Sequence, residues 1–267
     1  GAPRLGVRGA AIATLAARAV ECLVTILYVR FRDKKLSFRL ADVFRLDKGI
    51  GRDYFRSGAP VILSNASWGI AMAIQTAILG HLGKTAVTAN SIATTVFQIL
   101  TVLSYGAASA SAVLIGKTVG EGKLDKVRQY AKTMQLLFLL LGLATGAALF
   151  LCRDFVLSFY AITPESRSLA LAFIAVLSVT VVGTSYQMAV LTGIVRGGGD
   201  TRFVLFNDLI FMWGVVLPSS ALAAFVFHLP PLMVFICLKS DQILKCAVAA
   251  VKVNRGGWIR QLTRPAE

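Results

Sequence analysis

The sequence predicts an all-α, polytopic membrane protein of about seven transmembrane helices, and three observations carry that reading. Only 15% of the 267 residues are Asp, Glu, Lys or Arg, against about 25% in a soluble domain, and 56% are hydrophobic. Stretches free of those four residues run over 57–80, 85–116, 133–152, 168–195 and 209–238. A hydrocarbon core about 30 Å thick needs about 20 such residues per helix, whereas surface helices of a soluble protein carry a charge every turn or two. The basic residues behind the net charge of +15 are collected between the apolar stretches. Nucleic-acid binding needs a basic stripe that follows a phosphate backbone; the placement here suits loops facing anionic lipid instead. Membrane lipids, and no nucleic acid, are the expected partner.

Seven spans follow, at 9–30, 57–80, 88–113, 133–153, 168–194, 204–226 and 230–251. The third apolar run exceeds one average span, and tilt or extra turns absorb the excess. Between the first two spans, 33–56 reads as an inter-helix linker. Its Leu36, Phe38, Leu40 and Phe44 also suit a short amphipathic interfacial helix. "GEGKLDKVRQYAK" at 120–132 predicts a glycine-rich turn followed by a polar helix start. Pro230-Pro231, after His228, predicts a tight turn between the last two spans, because proline lacks an amide donor. Basic residues then orient the chain. Twenty-two fall on one side, in the linker, at 116–132, at 195–202 and from Lys239 onward; five (Arg4, Arg8, Lys84, Arg153, Arg167) fall on the other. This bias places the first residues outside and the C-terminus in the cytoplasm.

Polar residues inside apolar spans are the candidates for function, because an unpaired polar group in lipid costs several kcal/mol. Arg18 and Glu21 sit three residues apart, on one helical face. They read either as part of an inter-bundle gate or ion path, or as a buried pair that fixes helix packing. Asp208, near the start of the sixth span, suits cation or proton binding if it faces a cavity. It equally suits the positive end of a helix dipole. Asn65, Gln75, Asn90, Gln98, Tyr186, Gln187 and Asn207 suit substrate or water binding, with helix-to-helix hydrogen bonding as the competing role. Trp68, Met72, Met212 and Trp213 suit either a polarizable wall for a lipophilic cation or ordinary packing.

The glycine-rich "RGGGDTR", with Arg196, Gly199, Asp200 and Arg202, lacks the lysine and spacing of a phosphate loop. It predicts a tight cytoplasmic turn in which glycine takes unusual backbone angles and Asp200 caps the next helix. "GAASASA" at 106–112 predicts a close helix approach. Cys22, Cys152, Cys237 and Cys246 show no CxxC or Cys/His spacing, and His81 and His228 have no ligand partners in sequence. They predict no metal and no disulfide framework. No cofactor is expected.

Several motifs, in order, resemble the multidrug and toxic compound extrusion (MATE) family. "LGVRGAAIATLAAR" at 5–18 is similar to the start of that family's sixth helix, and "GAPVILSNASW" at 58–68 to the start of its seventh. "LGKTAVTANSIATTVFQ" at 82–98 resembles the seventh-to-eighth connection and "GIVRGGGDTR" at 193–202 the loop after helix ten. "NDLIFMWGVVLP" at 207–218 resembles helix eleven, and "SDQILK" at 240–245 with "GGW" at 256–258 the last helix and tail. The resemblance implies a MATE-like second bundle. Residues 1–31 would be the last helix of a first bundle, 32–56 the cytoplasmic inter-bundle linker, 57–251 a six-helix bundle and 252–267 a cytoplasmic tail. The lack of an initiating Met and the opening Gly-Ala-Pro-Arg fit a C-terminal part, whose partners would include the preceding helices of the same transporter.

The implied function is secondary active antiport in a bacterial inner membrane. A small organic substrate, lipophilic or cationic, would leave in exchange for H+ or Na+, which would be the coupling ion. Some family members carry an acidic residue in helix seven, where this chain reads "NASW" ending in Trp68, so no sodium-site carboxylate is assigned there. A first-helix aspartate used by others would lie outside this sequence. Two alternatives stand beside antiport. One is a seven-helix receptor or photoreceptor, with Lys245 as a Schiff-base lysine. The other is an inactive transporter fragment. The scattered acidic residues form no shared catalytic site, so an enzyme is not expected.

Overall fold

The computed structural model describes residues 6–31 and 48–259. Among them the backbone is helical, apart from turns and one isolated antiparallel bridge between Gly199 and Ile259. The chain divides into a first unit ending at Tyr54 and a second running from Phe55 onward. The first contains α1 (Gly6–Phe31), whose described faces are almost entirely exposed.

The apolar runs that follow become long helices, the first of which begins before Tyr54 and continues into the second unit. They are α2 (Lys48–His81), α3 (Lys84–Gly120), α4 (Leu124–Leu157) and α5 (Pro164–Gln187). After α5 the helix continues with wider, π-type turns over Met188–Val195. The next span begins as α6 (Thr201–Leu209), widens over Ile210–Val216, tightens in α7 (Leu217–Ala221) and widens again over Leu222–Val226. The last two helices are α8 (Pro231–Lys239) and α9 (Asp241–Asn254).

Among the described residues, six stretches are long and apolar enough to cross a membrane: Ala11–Phe31, Gly58–His81, Lys84–Gly120, Leu124–Leu157, Pro164–Val195 and Thr201–Val226. The expected seventh differs. α8 and α9 meet at Ser240, whose backbone stays helical but whose amide bonds to the Cys237 carbonyl three residues back. Together they run from Pro231 to Asn254, about 36 Å at 1.5 Å per residue. The interruption coincides with Lys239 and Asp241, which both point into protein. Lys239 and Lys245 are therefore side chains of a span and not loop charges; without them the basic asymmetry is still twenty to five.

Within the stretch assigned as linker, 32–56, the described residues are helical from Lys48, where α2 begins. The amphipathic helix proposed for Leu36 to Phe44 lies outside the described residues. The turn before the last span is present: His228 takes a left-handed φ of 47° and α8 starts at Pro231. Thr163 starts α5 by accepting the Ser166 amide, with Pro164 in the first turn, an arrangement that satisfies an otherwise orphaned donor.

Because lipid tails are as apolar as leucine, helices in a membrane associate through close packing and hydrogen bonds. α4 and α5 meet at Gly142 and Gly146; a Cβ on Gly146 would lie 2.5 Å from the Ser178 carbonyl oxygen. The small-residue run of α3 works in the same way. Gly193 lies against Ala108 and Ser111, and a Cβ on Gly197 would stand 2.8 Å from the Ala112 carbonyl oxygen. Phe173 and Phe235 stack at 4.0 Å between α5 and α8, inside a cluster that includes Ile92, Leu149 and Leu177. A second cluster joins Ala71, Ile78 and Leu79 of α2 to Met212, Val216 and Leu238. It holds α2 against the last two spans.

Candidate functional site: a charged network within the bundle

The polar residues converge where α2, α5, α6 and α9 approach one another. Lys245, in the second turn of α9, is 6% exposed at its side chain. Its ammonium stands 3.3 Å from Asp208 Oδ1 on α6 and 3.3 Å from Asp241 Oδ2 one turn earlier on α9. Asp241 is 3% exposed and Asp208 29%. Ser64 of α2 donates to Asp208 Oδ2 at 2.7 Å. On the other flank, Gln242 donates to Asp241 Oδ1 at 2.9 Å and accepts from Thr184 at 2.9 Å. Gln187 also donates to the Gln242 side-chain oxygen. One continuous chain of contacts thus runs from α5 through α9 to α6 and α2.

Local structure explains this convergence. Asp241 and Lys245 are four apart, so they share a helical face. Gln187 and Asp208 lie within two residues of the start of a π-type segment, and such wide turns re-aim side chains, often at functional positions. α5 can reach Gln242 because Gly183 has no side chain: a Cβ there would run into the Gln242 carbonyl oxygen. The Cys246 thiol donates to the Gly183 carbonyl at 3.2 Å in the same contact.

Chemically, one ammonium is held directly between two carboxylates, with Lys239 acting on Asp241 from further away. Such a group can exchange a proton or a small cation for its internal ion pairs, provided a wet path reaches it. Asp208, at 29% exposure, is the most accessible of the three charged members. Arg196, at the end of the helix leaving α5, also bears on Asp208. Burial pushes the Arg196 guanidinium below its ordinary value, and the Asp208 carboxylate opposes that effect. Among the described residues, the Arg196 Nε and the Asn207 Nδ2, both buried, have no hydrogen-bond partner.

The remaining sequence candidates divide clearly. Gln187 and Asp208 join the network, and Asn207, 5% exposed, is adjacent to it. Gln75 is buried and donates to the Met212 sulfur at 3.3 Å, while Asn90 lines a separate cleft with Gln75 and Met72. Asn65 and Gln98 lie on exposed faces. Trp68 and Trp213 are 54% and 40% exposed, Trp213 donating to Ser67 at 2.7 Å, whereas Met212 is buried. Tyr186 donates to Gln135 at 2.7 Å, a bond between α5 and α4.

Arg18 and Glu21 do form an ion pair, at 2.7 Å, but their side chains are 75% and 65% exposed on α1. The 195–202 turn is tight, with Gly199 at a left-handed φ of 95°. Asp200 occupies the N-cap position of α6 without a side-chain capping bond; its carboxylate instead meets Lys252 of α9 at 2.9 Å. Lys252 also lies over the Phe203 ring at 4.4 Å, and Trp258 packs directly on Gly198. Arg202 is exposed.

Asp241, Gln242, Lys245, Ser64 and Thr184 were not singled out from sequence as a site. The legible signal was Asp241 and Lys245 four residues apart inside an apolar span, where a lone charge is costly and a pair is self-consistent. No group of three or more His, Cys, Asp or Glu with metal-holding geometry occurs among the described residues.

Known proteins of similar sequence and shape are membrane transporters. The chain is 26% identical over 232 residues to the uncharacterized transporter YisQ of Bacillus subtilis, covering 86% of this chain and 50% of YisQ. It is 26% identical over 234 residues to the multidrug resistance protein MdtK of Pectobacterium atrosepticum, covering 87% of this chain and 51% of MdtK. The chain thus spans about half the length of the curated relatives it matches. A crystal structure of MATE in complex with MaL6 superimposes with a TM-score of 0.78 at 21% identity, over 94% of this chain and 57% of the other. An outward-facing multidrug resistance MATE family transporter of the MOP superfamily gives 0.71 at 15% identity, over 80% and 49%. The receptor reading gives way to these transporter matches. The MatE family model matches residues 60–222, more than half of the sequence, and so this multi-pass membrane protein belongs to the MatE family of efflux transporters.

Proposed function

We propose that this bundle is the coupling half of a secondary active antiporter that exports lipophilic or cationic organic compounds in exchange for H+ or Na+. The observation that carries the reading is the membrane-buried Asp208–Lys245–Asp241 network, open at Asp208 and assembled from separate helices. Its charges are held in a low-dielectric setting where gaining or losing one cation reorganises the whole set. Loading Asp208 with a proton or Na+ weakens its hold on Lys245. Lys245 then turns fully to Asp241, and the contact between α6 and α9 loosens. Ser64, bonded to the other Asp208 oxygen, carries the same change to α2.

A change that alters contacts among α2, α6 and α9 shifts the balance between two bundle arrangements, which is what alternating access requires. The complete transport path combines this bundle with the preceding helices of a protein about twice as long, as its relatives are. The membrane is the bacterial inner membrane, with the 195–202 turn and the C-terminus on the cytoplasmic side.

The test is ethidium flux, as a lipophilic cation, in proteoliposomes carrying the intact transporter under imposed pH or Na+ gradients. Asp208→Asn is expected to leave downhill exchange of ethidium in place while removing its acceleration by the gradient. Gradient-driven export that is unchanged in Asp208→Asn would overturn the assignment of this network as the coupling site.

A further inference from the structure

Two consecutive spans are interrupted at matching depth, and each interruption has its own cause. In the span Thr201–Val226 the break lies at Gly214–Pro218. Pro218 brings no amide to the helix, and the Leu217 amide bonds to the Met212 carbonyl, five residues back. The two donors that a regular or a widened ladder would aim at the Trp213 carbonyl are thus lost to it. Ser219 and Ser220 return their hydroxyls to the Val216 and Leu217 carbonyls, a pattern that bends helices. A Cβ on Gly214 would meet nothing within 4 Å, so a bend toward that side is unobstructed among the described residues. In the last span the break is at Ser240, whose amide and hydroxyl both bond to the Cys237 carbonyl. Pro218 to Val226 and Pro231 to Ser240 each cover about 12–14 Å of helix rise.

The segment between the breaks is a hairpin of two short arms joined by the turn at His228. The arms pack on each other, because Leu217, Ala223 and Ala224 share a cluster with Val234 and Leu238. What lies on the other side of both breaks is bolted. Asp208 precedes one break, Asp241 and Lys245 follow the other, and their ion pairs join α6 to α9. Nearer the 195–202 turn, Asp200 pairs with Lys252 at 2.9 Å, Gly199 bridges to Ile259 and Trp258 packs on Gly198. The hairpin, by contrast, rests on apolar contacts: with Ala71, Ile78 and Leu79 of α2, and through Phe235, stacked on Phe173 of α5 at 4.0 Å. Such surfaces slide or part without breaking a hydrogen bond.

We propose that this hairpin is a hinged flap, which swings as one body about Gly214–Pro218 and Ser240 while the charged network and the 195–202 turn hold the remaining halves of both spans together. Phe235 is its latch. Helix kinks at proline and at wide turns exceed about 20°. A swing of that size, on the roughly 14 Å from Pro218 to Phe227, moves the tip by about 5 Å. The flap concerns motion within this bundle and does not require Asp208 to bind the coupling ion.

Double electron–electron resonance tests it, on the intact transporter in nanodiscs with its native cysteines replaced. One spin-label pair, Phe227→Cys with Leu151→Cys, measures the flap against the far part of α4, at two exposed positions. The other, Arg202→Cys with Arg128→Cys, measures the bolted end against the start of α4, again at exposed positions. The flap pair is expected to give a distance distribution about 5 Å broader than the bolted pair, or two populations separated by that amount. Phe235→Ala should shift the flap pair further and leave the bolted pair in place. Pro218→Ala, which restores an amide donor, should narrow the flap pair. The comparison of the two pairs in the parent stands even if a variant misfolds. Equal widths there overturn the proposal. So does a bolted pair that broadens together with the flap pair in Phe235→Ala, since the bundle would then be loosening as a whole. A folded Pro218→Ala protein with an unchanged flap pair overturns it as well. None of these readouts uses Asp208 or an ion gradient, so the coupling assignment and the flap can each fail alone.

Discussion

Replacing Lys245 by Met tests the network most severely, because it removes the cation and keeps most of the volume. Lys245 is 6% exposed and holds two carboxylates, each at 3.3 Å. At that distance and an effective dielectric of about 20, each contact is worth about 5 kcal/mol before desolvation is charged against it. The net cost of stranding a buried partner is about 3–5 kcal/mol. Most of it falls on Asp241, at 3% exposure, since Asp208 at 29% retains some screening. Lys245→Met is therefore expected to lose about 3–5 kcal/mol at pH 8, read from SDS-induced unfolding of the micellar protein by circular dichroism and tryptophan fluorescence. Adding Asp241→Asn should restore most of the loss, giving a strongly non-additive cycle. Strict additivity, or a single variant as stable as the parent at pH 8, would refute the claim that Lys245 pairs with both aspartates.

Two further predictions concern how the network is held. Gly183→Ala places a Cβ against the Gln242 carbonyl oxygen, so α5 and α9 must separate; a loss of about 1–3 kcal/mol in the same unfolding assay is expected, with weakened protection of α9 in hydrogen exchange. Trp258→Ala empties the space of a side chain that is 1% exposed and donates to the Val253 carbonyl, and should cost about 3–5 kcal/mol. Gly198→Ala, which collides with that ring, should be destabilising in the parent and nearly neutral once Trp258 is Ala.

The spans were legible because hydrophobic runs and lipid thickness are a one-dimensional problem. α3, α4, and α5 together with its wider-turned continuation to Val195 each contain the run assigned to them, and they differ mainly by extending into the polar flanks, where backbone pairing continues the helix past the apolar boundary. What the sequence did not show was the register between helices. Asp208 was visible as a charge in a span, but its partner lies 37 residues away, and no local spacing brings α6 to α9. Ser64, 144 residues from Asp208, looked like any small residue of a membrane helix. Arg18 and Glu21 were the reverse case. Their pairing was visible from spacing, but their exposure on α1 depends on what surrounds that helix.

The last span shows why local and global readings part company. Counted as loop charges, Lys239 and Lys245 support the orientation and carry no further meaning. Placed on one helix they have opposite fates six residues apart. Lys245 faces the interior beside Asp208 and is neutralised there; Lys239 turns to a cleft whose polar groups are amides and hydroxyls. Satisfaction of buried charge is a strong constraint in lipid, so a paired lysine is explained by packing alone. An unpaired one is not. Lys239 has Asp241 two residues on acting on it from beyond ion-pair distance, and room beside it for about one water, so a charge short of a direct partner is completed here by a neighbouring field and a small polar space.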